Sequence, residues 1–281
     1  MRLRARPLSH AELAELAGTP SRPEHLFLQN HILFEVQRLR EDVGADPRGT
    51  FYGVFDREGM QLVAFFARGG LLVLGAGSVE AAAALKGPAL VEERGFRILI
   101  GPERPVAALV EELGERVKIE MNRRQPFLVV RDAADLGEGC AMRPALPGDL
   151  PWLVEANLEL NEEDLGIAAS RVDRRALEVR LGVRVAEGRT WIVDHAGRPA
   201  AKLNVGLSGP AGALIEGVYT EPALRGKGFA GRLVAAVSRR LLGSYPCVGL
   251  HTARDNAPAL RAYRRAGLVE CAELRLVRPS W

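Results

Sequence analysis

Val218-Tyr-Thr-Glu-Pro-Ala-Leu-Arg225-Gly-Lys-Gly228-Phe-Ala230-Gly231-Arg-Leu-Val234 is the stretch on which the reading of this 281-residue chain turns. A strand ends at Thr220, Pro222 blocks its extension, and a glycine-containing loop feeds directly into a helix running from about Phe229 to Leu242. A helix that starts this way presents unpaired N–H groups and the positive end of its dipole, which suits a phosphate or pyrophosphate. Gly226 and Gly228 let the main chain approach such an anion, while Ala230 and Gly231 keep the first turn narrow. Arg225 and Lys227 add mobile positive charge. Taken alone, the same residues also make an ordinary strand-to-helix turn, because short glycine patterns are common.

A second segment narrows the choice. Asp255-Asn256-Ala-Pro-Ala259-Leu-Arg-Ala-Tyr263-Arg-Arg-Ala-Gly267-Leu268 follows a strand over Cys247–Thr252. With this segment the chain resembles the GNAT superfamily of acyl-CoA-dependent N-acyltransferases. Arg225-Gly-Lys-Gly228-Phe-Ala230 matches that family's Q/R-x-x-G-x-G/A pyrophosphate signature, and Asn256, Ala259, Tyr263 and Gly267 match its N-x-x-A-x-x-x-Y-x-x-x-G helix signature. Leu268 stands where the family more often has Phe. The resemblance covers about Cys140–Val277, roughly half the chain, with the two signatures in the right order.

The resemblance implies acetyl-CoA as acyl donor, with no metal. Amides of Arg225, Gly226, Lys227, Gly228, Phe229, Ala230 and Gly231 would hold its pyrophosphate. Val218, Tyr219 and Thr220 would lie beside the pantetheine arm, with one amide polarising the thioester carbonyl. The acceptor amine would attack directly in a ternary complex. Tyr263 is the candidate acid for the departing thiolate; the alternative is an aromatic packed between helix and sheet, on one face with Leu260. Glu216, two residues before Val218 on what alternation makes the same strand face, is the candidate base for an ammonium of pKa near 10.4. Its alternative is a carboxylate facing solvent or paired with an arginine. Asn256 is expected to hold its helix start or touch the cofactor.

The remaining elements fall into two similar series. Asp132-Ala-Ala-Asp-Leu-Gly-Glu-Gly139 has the composition of a linker. After it come an entry strand at Ala141–Ala145, a helix from Pro151 capped by Asp149, and a helix through Arg184 capped by Asp173. A hairpin of Trp191–Asp194 and Ala201–Leu207 follows, then Leu214–Thr220 and a final strand at Glu270–Val277. In Ala201–Leu207 the apolar residues alternate with Lys202, Asn204 and Gly206, which predicts one apolar and one wetter face. Before the linker, Ser9-His-Ala-Glu12 reads as a capping box, and a helix is expected from about Pro23 to Arg40. Phe51–Asp56 with Gln61–Arg68 form a hairpin, Leu71–Gly75 a strand, and Ser78 caps a helix. Arg97–Ile100, Pro105–Leu113, Val117–Met121 and Phe127–Val130 follow as strand, helix, strand, strand.

The expected fold is therefore α/β, with two GNAT-like domains, each a mixed, mainly antiparallel twisted sheet flanked by helices. Residues 1–135 form a degenerate first copy and 140–281 the catalytic copy. At the loop position the first copy has Leu74-Gly-Ala-Gly-Ser-Val-Glu-Ala81, without Arg-x-x-Gly, and Glu80 would sit in the helix's first turn as an internal countercharge. This favours a structural or substrate-shaping role for it.

Composition bounds the rest. A net charge of +3 does not suggest a general nucleic-acid or membrane-surface binder, and Trp152, Trp191 and Trp281 are too scattered for a stacking platform. Cys140, Cys247 and Cys271 include no CxxC pair and read as thiols of a reducing compartment, the cytoplasm. Leu62–Ala67 and Leu71–Ala76 are too short for a membrane span, and no apolar region follows Met1-Arg-Leu-Arg-Ala-Arg6 as a secretory signal would need. His31 and Glu35, four apart on a helix, read as a solvated face rather than a metal pair. The 34 Arg against 4 Lys carry no mechanistic weight. Expected acceptors are a small-molecule amine or a protein amine. The competing functions are a non-catalytic CoA-responsive module and another nucleotide-binding α/β enzyme using the same loop.

Overall fold

Two series of elements in the same order account for the chain. The computed structural model describes residues 3–18, 26–41, 48–91 and 95–280. The first series is β1 (Arg4–Pro7), α1 (His10–Ala17), α2 (Leu26–Glu41), β2 (Gly49–Phe55), β3 (Met60–Ala67), β4 (Leu71–Leu74), α3 (Val79–Ala83), α4 (Lys86–Val91), β5 (Ile98–Pro102), α5 (Glu103–Leu113) and β6 (Ile119–Val130). The second is β7 (Arg143–Pro144), α6 (Leu150–Leu165), α7 (Arg174–Ala186), β8 (Thr190–His195), β9 (Arg198–Gly209), β10 (Gly212–Thr220), α8 (Phe229–Leu242), β11 (Val248–His251), α9 (Ala257–Arg265) and β12 (Val269–Pro279). Apart from the short α4, each series reads strand, two helices, three strands, helix, strand, helix, strand.

The chain divides into two compact units. The first comprises Met1–Phe127, Gly209–Ala211 and Cys271–Trp281; the second comprises Leu128–Ser208 and Gly212–Glu270. Compactness thus cuts the chain differently from the linker, because most of β12 pairs antiparallel with β5, Leu274 opposite Pro102 through Val277 opposite Leu99. Each unit has a parallel strand pair, β4 with β5 in the first and β10 with β11 in the second. In the first unit Leu72, Leu74 and Leu99 pack with Ala81, Ala82, Val106 and Leu109 of α3 and α5.

In the second unit helices cover both sheet faces. Leu203, Val205, Ile215 and Leu250 pack with Leu233, Val234, Leu260 and Tyr263 of α8 and α9. On the other face Ile192 packs with Leu153, Leu158, Leu177 and Leu181 of α6 and α7. This double cover matters for the site, since polar residues on either face are taken out of water.

Local sequence chemistry explains several boundaries. Ser9 and Glu12 form the capping box of α1, Ser78 Oγ accepts from Ala81 N at 3.1 Å, and Asp173 Oδ1 accepts from Ala176 N at 2.9 Å. Asp149 differs from expectation: it makes no side-chain cap on α6. Its carboxylate accepts instead from Leu146 N at 2.7 Å and from both Arg143 terminal nitrogens, at 2.7 and 2.9 Å. The two strands expected at Val117–Met121 and Phe127–Val130 are one continuous strand, β6, which begins at Ile119 and runs across Pro126. The short β1 was not legible beforehand. The expected helix start at Pro23 lies outside the described residues. His31 and Glu35 do not form a solvated face: Glu35 is buried, and the His31 ring lies 4.8 Å from that of Phe65.

Candidate active site

Beyond Thr220 the chain makes a single 3-10 turn over Pro222–Leu224, then passes through Gly226 and Gly228 at φ of 78° and 81°. Such left-handed backbone strains any residue with a Cβ. There is also room: a Cβ on Gly226 would meet nothing within 4 Å, and one on Gly228 would meet only Arg232 Nε, at 3.9 Å. Gly228 is the N-cap of α8 and supplies no side-chain cap. The bond from Arg232 N to Gly228 O, 3.1 Å, begins the helical ladder, so the amides of Phe229, Ala230 and Gly231 precede it. A run of main-chain donors with open space beside Gly226 and Gly228 fits an anion.

The neighbouring side chains divide the work differently from the sequence expectation. Gly231 serves helix packing, because a Cβ there would stand 2.9 Å from Ala262 O of α9. Arg225 is drawn towards α6: Nη2 donates to Glu163 Oε1 and Oε2 at 2.9 and 3.1 Å, and Nε donates to Thr220 O at 3.1 Å. Lys227 is exposed. Arg232 was not singled out from sequence, yet Nη2 donates to Lys227 O at 3.3 Å, and its Nε is buried without a partner. Phe229 is buried beneath Arg232, whose guanidinium lies 5.5 Å from the ring centre.

In the parallel pairing of β10 with β11, Ala213 lies opposite Val248 and Leu214 opposite Gly249. Three residues later, Gly217 takes φ of 59°. We read this as a bulge that resets alternation. Ile215 and Val218 both pack towards α8 and α9, whereas Glu216 and Tyr219 both reach α6 or α7. Glu216 and Val218 therefore lie on opposite faces, contrary to simple alternation. Glu216 Oε1 receives Arg184 Nη1 of α7 at 2.5 Å, the arginine pairing left open beforehand. Tyr219 Oη donates to Glu159 Oε2 at 2.6 Å, and the Trp152 indole donates to Glu221, so one stripe of α6 braces the end of β10. Burial, helped by Glu159, raises the Tyr219 phenol above its ordinary range. Thr220 Oγ1 is buried without a partner.

The expected wetter face of β9 is enclosed. Lys202 is 0% exposed and Asn204 is 5% exposed. Lys202 Nζ donates to Asn157 Oδ1 at 3.1 Å, Thr190 Oγ1 donates to Asn204 Oδ1 at 3.0 Å, and a Cβ at Gly206 would stand 2.7 Å from Glu216 Oε2. Burial, assisted by the Arg184 charge and opposed by Glu216 and Asp164, lowers the Lys202 amine to about 7. Burial also lowers His251 to about 4, against the pull of Glu216. Asp164 acts on Tyr263 as well, so Lys202, Glu216, His251, Asp164 and Tyr263 share one electrostatic neighbourhood.

Asn256 caps α9, its Oδ1 accepting from Ala259 N at 3.1 Å. Tyr263, one turn beyond Ala259, is buried in the core under α8 and α9. Burial first, and Asp164 second, raise its phenol well above the usual range, so it keeps its proton at neutral pH. Among the described residues no group of three or more His, Cys, Asp or Glu is placed to hold a metal, and no helix is long and apolar enough to cross a membrane.

Comparison with known proteins agrees with this architecture. Residues 154–268 match the Acetyltransferase (GNAT) family. No curated protein sequence matches the chain significantly. Among solved structures, a GNAT-family acetyltransferase from Colwellia psychrerythraea is 13% identical and covers 100% of both chains at a TM-score of 0.56. A Drosophila protein is 15% identical, covering 98% of each chain at 0.68. A tandem GNAT protein from the clavulanic acid biosynthesis pathway is 14% identical and covers 99% of this chain and 98% of its own at 0.55. At such identities the likeness establishes fold alone: the chain has a GNAT-like fold along its length, and its residues 154–268 match the Acetyltransferase (GNAT) family.

Proposed function

We propose that the second unit transfers an acetyl group from acetyl-CoA to a primary amine, by direct attack in a ternary complex. The observation that carries this reading is the uncapped start of α8 behind open space at Gly226 and Gly228. The amides from Gly226 to Gly231 would hold the diphosphate, with Lys227 and Arg232 supplying positive charge and Arg225 joining them when it leaves Glu163. The unpartnered Thr220 Oγ1 supports a pantetheine arm laid along Val218–Thr220. A main-chain amide there would polarise the thioester carbonyl.

In this reading Tyr263, which keeps its proton at neutral pH, gives it to the departing thiolate. Glu216 takes up the proton that the acceptor ammonium sheds, and Asn256 fixes the start of the helix that carries Tyr263. Residues 140–281 are the catalytic copy and residues 1–135 a degenerate one. The acceptor is a small-molecule or protein amine, and the three free thiols suit the cytoplasm.

Thiol release from acetyl-CoA against a panel of primary amines tests this. Turnover that depends on the amine is expected. Tight CoA binding with no turnover on any amine would favour a CoA-responsive regulatory module, and competition by ATP or NAD as strong as by CoA would point to another nucleotide-binding enzyme.

A further inference from the structure

We propose that Lys202, enclosed between β9 and α6 with Nζ on Asn157 and against the Gly217 bulge, is the proton acceptor behind Glu216, receiving through it the proton shed by the acceptor ammonium. This deepens the reading above and rests on it. The geometry comes first. Lys202 has no exposed surface, and Asn157 Oδ1 at 3.1 Å is aimed at it because Asn157 Nδ2 is tied to Leu153 O at 2.7 Å. A Cβ on Gly217 would lie 3.2 Å from Nζ, so the amine abuts the strand one residue after Glu216.

The surrounding titratable groups are the charged Asp164 of α6, Arg184 of α7 and Glu216 of β10 and the neutral His251 of β11, with Asn157 and Asn204 as uncharged polar neighbours. Arg184 and Glu216 neutralise one another at 2.5 Å. Burial outweighs the remaining attraction of Asp164 and leaves the amine balanced between its two states near pH 7. An isolated structural lysine would need a carboxylate partner to stay charged in such a place; here Nζ donates to an uncharged amide, Asn157 Oδ1. A base poised near the working pH is also a better proton sink for an alkylammonium than a carboxylate.

The step balances as follows. The acceptor R–NH3+ gives a proton to the Glu216 carboxylate and Glu216 hands that proton on to neutral Lys202, leaving R–NH2, the Glu216 carboxylate and a Lys202 ammonium. The amine nitrogen then forms its bond to the thioester carbon and the C–S bond breaks. The thiolate takes the Tyr263 hydroxyl proton, Tyr263 regains one from the nitrogen of the collapsing adduct, and Lys202, itself enclosed, returns its proton to solvent through the partly exposed Glu216. Lys202 does not touch the acceptor, so it is a positioning and relay residue.

The test is the pH dependence of kcat/KM for the acceptor in wild-type protein and in Lys202→Met, with the KM for acetyl-CoA measured alongside. Wild type should lose rate as pH falls through about 7. Lys202→Met should lose that limb and turn over about tenfold to a hundredfold more slowly, with acetyl-CoA KM within about twofold. A variant that keeps the limb and the rate overturns the proposal while leaving the transferase reading intact; a wild type inert on every amine removes both. Should Lys202→Met fail to fold, 15N NMR of the wild-type lysine side chains decides, since the chain has only Lys86, Lys118, Lys202 and Lys227. One Nζ titrating near 7 is expected, and four titrating near 10 contradict the relay.

Discussion

The two units place a glycine loop at the same point, between the first strand of their parallel pair and the following helix, and the loops differ in what surrounds them. In the second unit, Cβ atoms on Gly226 and Gly228 would enter open space. In the first, a Cβ on Gly75 would strike Leu28 Cδ2 at 2.7 Å, and one on Gly77 would strike Gln61 O at 2.6 Å. The helix starts differ too. Ser78 supplies its own oxygen to α3, whereas α8 begins at Gly228 with none. Two glycines in a βα loop therefore mark close approach by something, and the neighbouring atoms decide whether that is a ligand or the protein itself. Glu80 in the first turn of α3 adds a carboxylate where an anion would otherwise sit.

If chemistry belongs to the second unit alone, Tyr263→Phe should have the largest effect. Turnover measured by thiol release should fall about 10²–10⁴-fold, with CoA affinity and the melting curve nearly unchanged because the ring still fills its core position. Unaltered turnover would leave Tyr263 a packing residue. Next comes a matched pair of substitutions. Gly228→Ala should weaken CoA binding about tenfold or more in calorimetry, with the roughly 1–2 kcal/mol folding cost of a left-handed alanine. Gly75→Ala should lower thermal stability and leave CoA affinity alone, since its Cβ meets core atoms. Equal effects of the pair on CoA would dissolve the distinction between the loops.

Smaller effects concern stability. His251 titrates at about 4 in the folded protein against 6.5 when free, so the unfolded chain binds more protons between those values. Stability should fall as pH drops from 6.5 to 4, with a slope approaching one proton, and denaturant titrations of His251→Gln should show that slope removed. Smallest is Ser78→Ala, which should cost about 1 kcal/mol in denaturant midpoint and change no binding.

Much of this architecture was legible because it is written in local chemistry. Ser9, Ser78, Asp173 and Asn256 cap helices where short side-chain oxygens precede helical periodicity, and the glycines of the α8 loop take the left-handed backbone expected of them. What escaped depends on contacts distant in sequence. Alternation in β9 implied that Lys202 and Asn204 face water, but α6 and α7 cover that face, and alternation is blind to what lies above a sheet. The Gly217 bulge, which separates Glu216 from Val218, likewise leaves only a glycine as its signal. Asp149 looked like a cap because the cap motif is local, whereas Arg143, which claims its carboxylate, also binds Asp194 at 2.6 Å on another strand. Arg225 carried the sequence signature, yet its partner Glu163 lies 62 residues away.

The most direct measurement is a 1H–15N amide spectrum recorded as CoA is added to the full chain. We expect the Gly226 and Gly228 amides to shift strongly and saturably while those of Gly75 and Gly77 stay in place. Still amides at Gly226 and Gly228, or equal movement of Gly75 and Gly77, would contradict a diphosphate site confined to the start of α8.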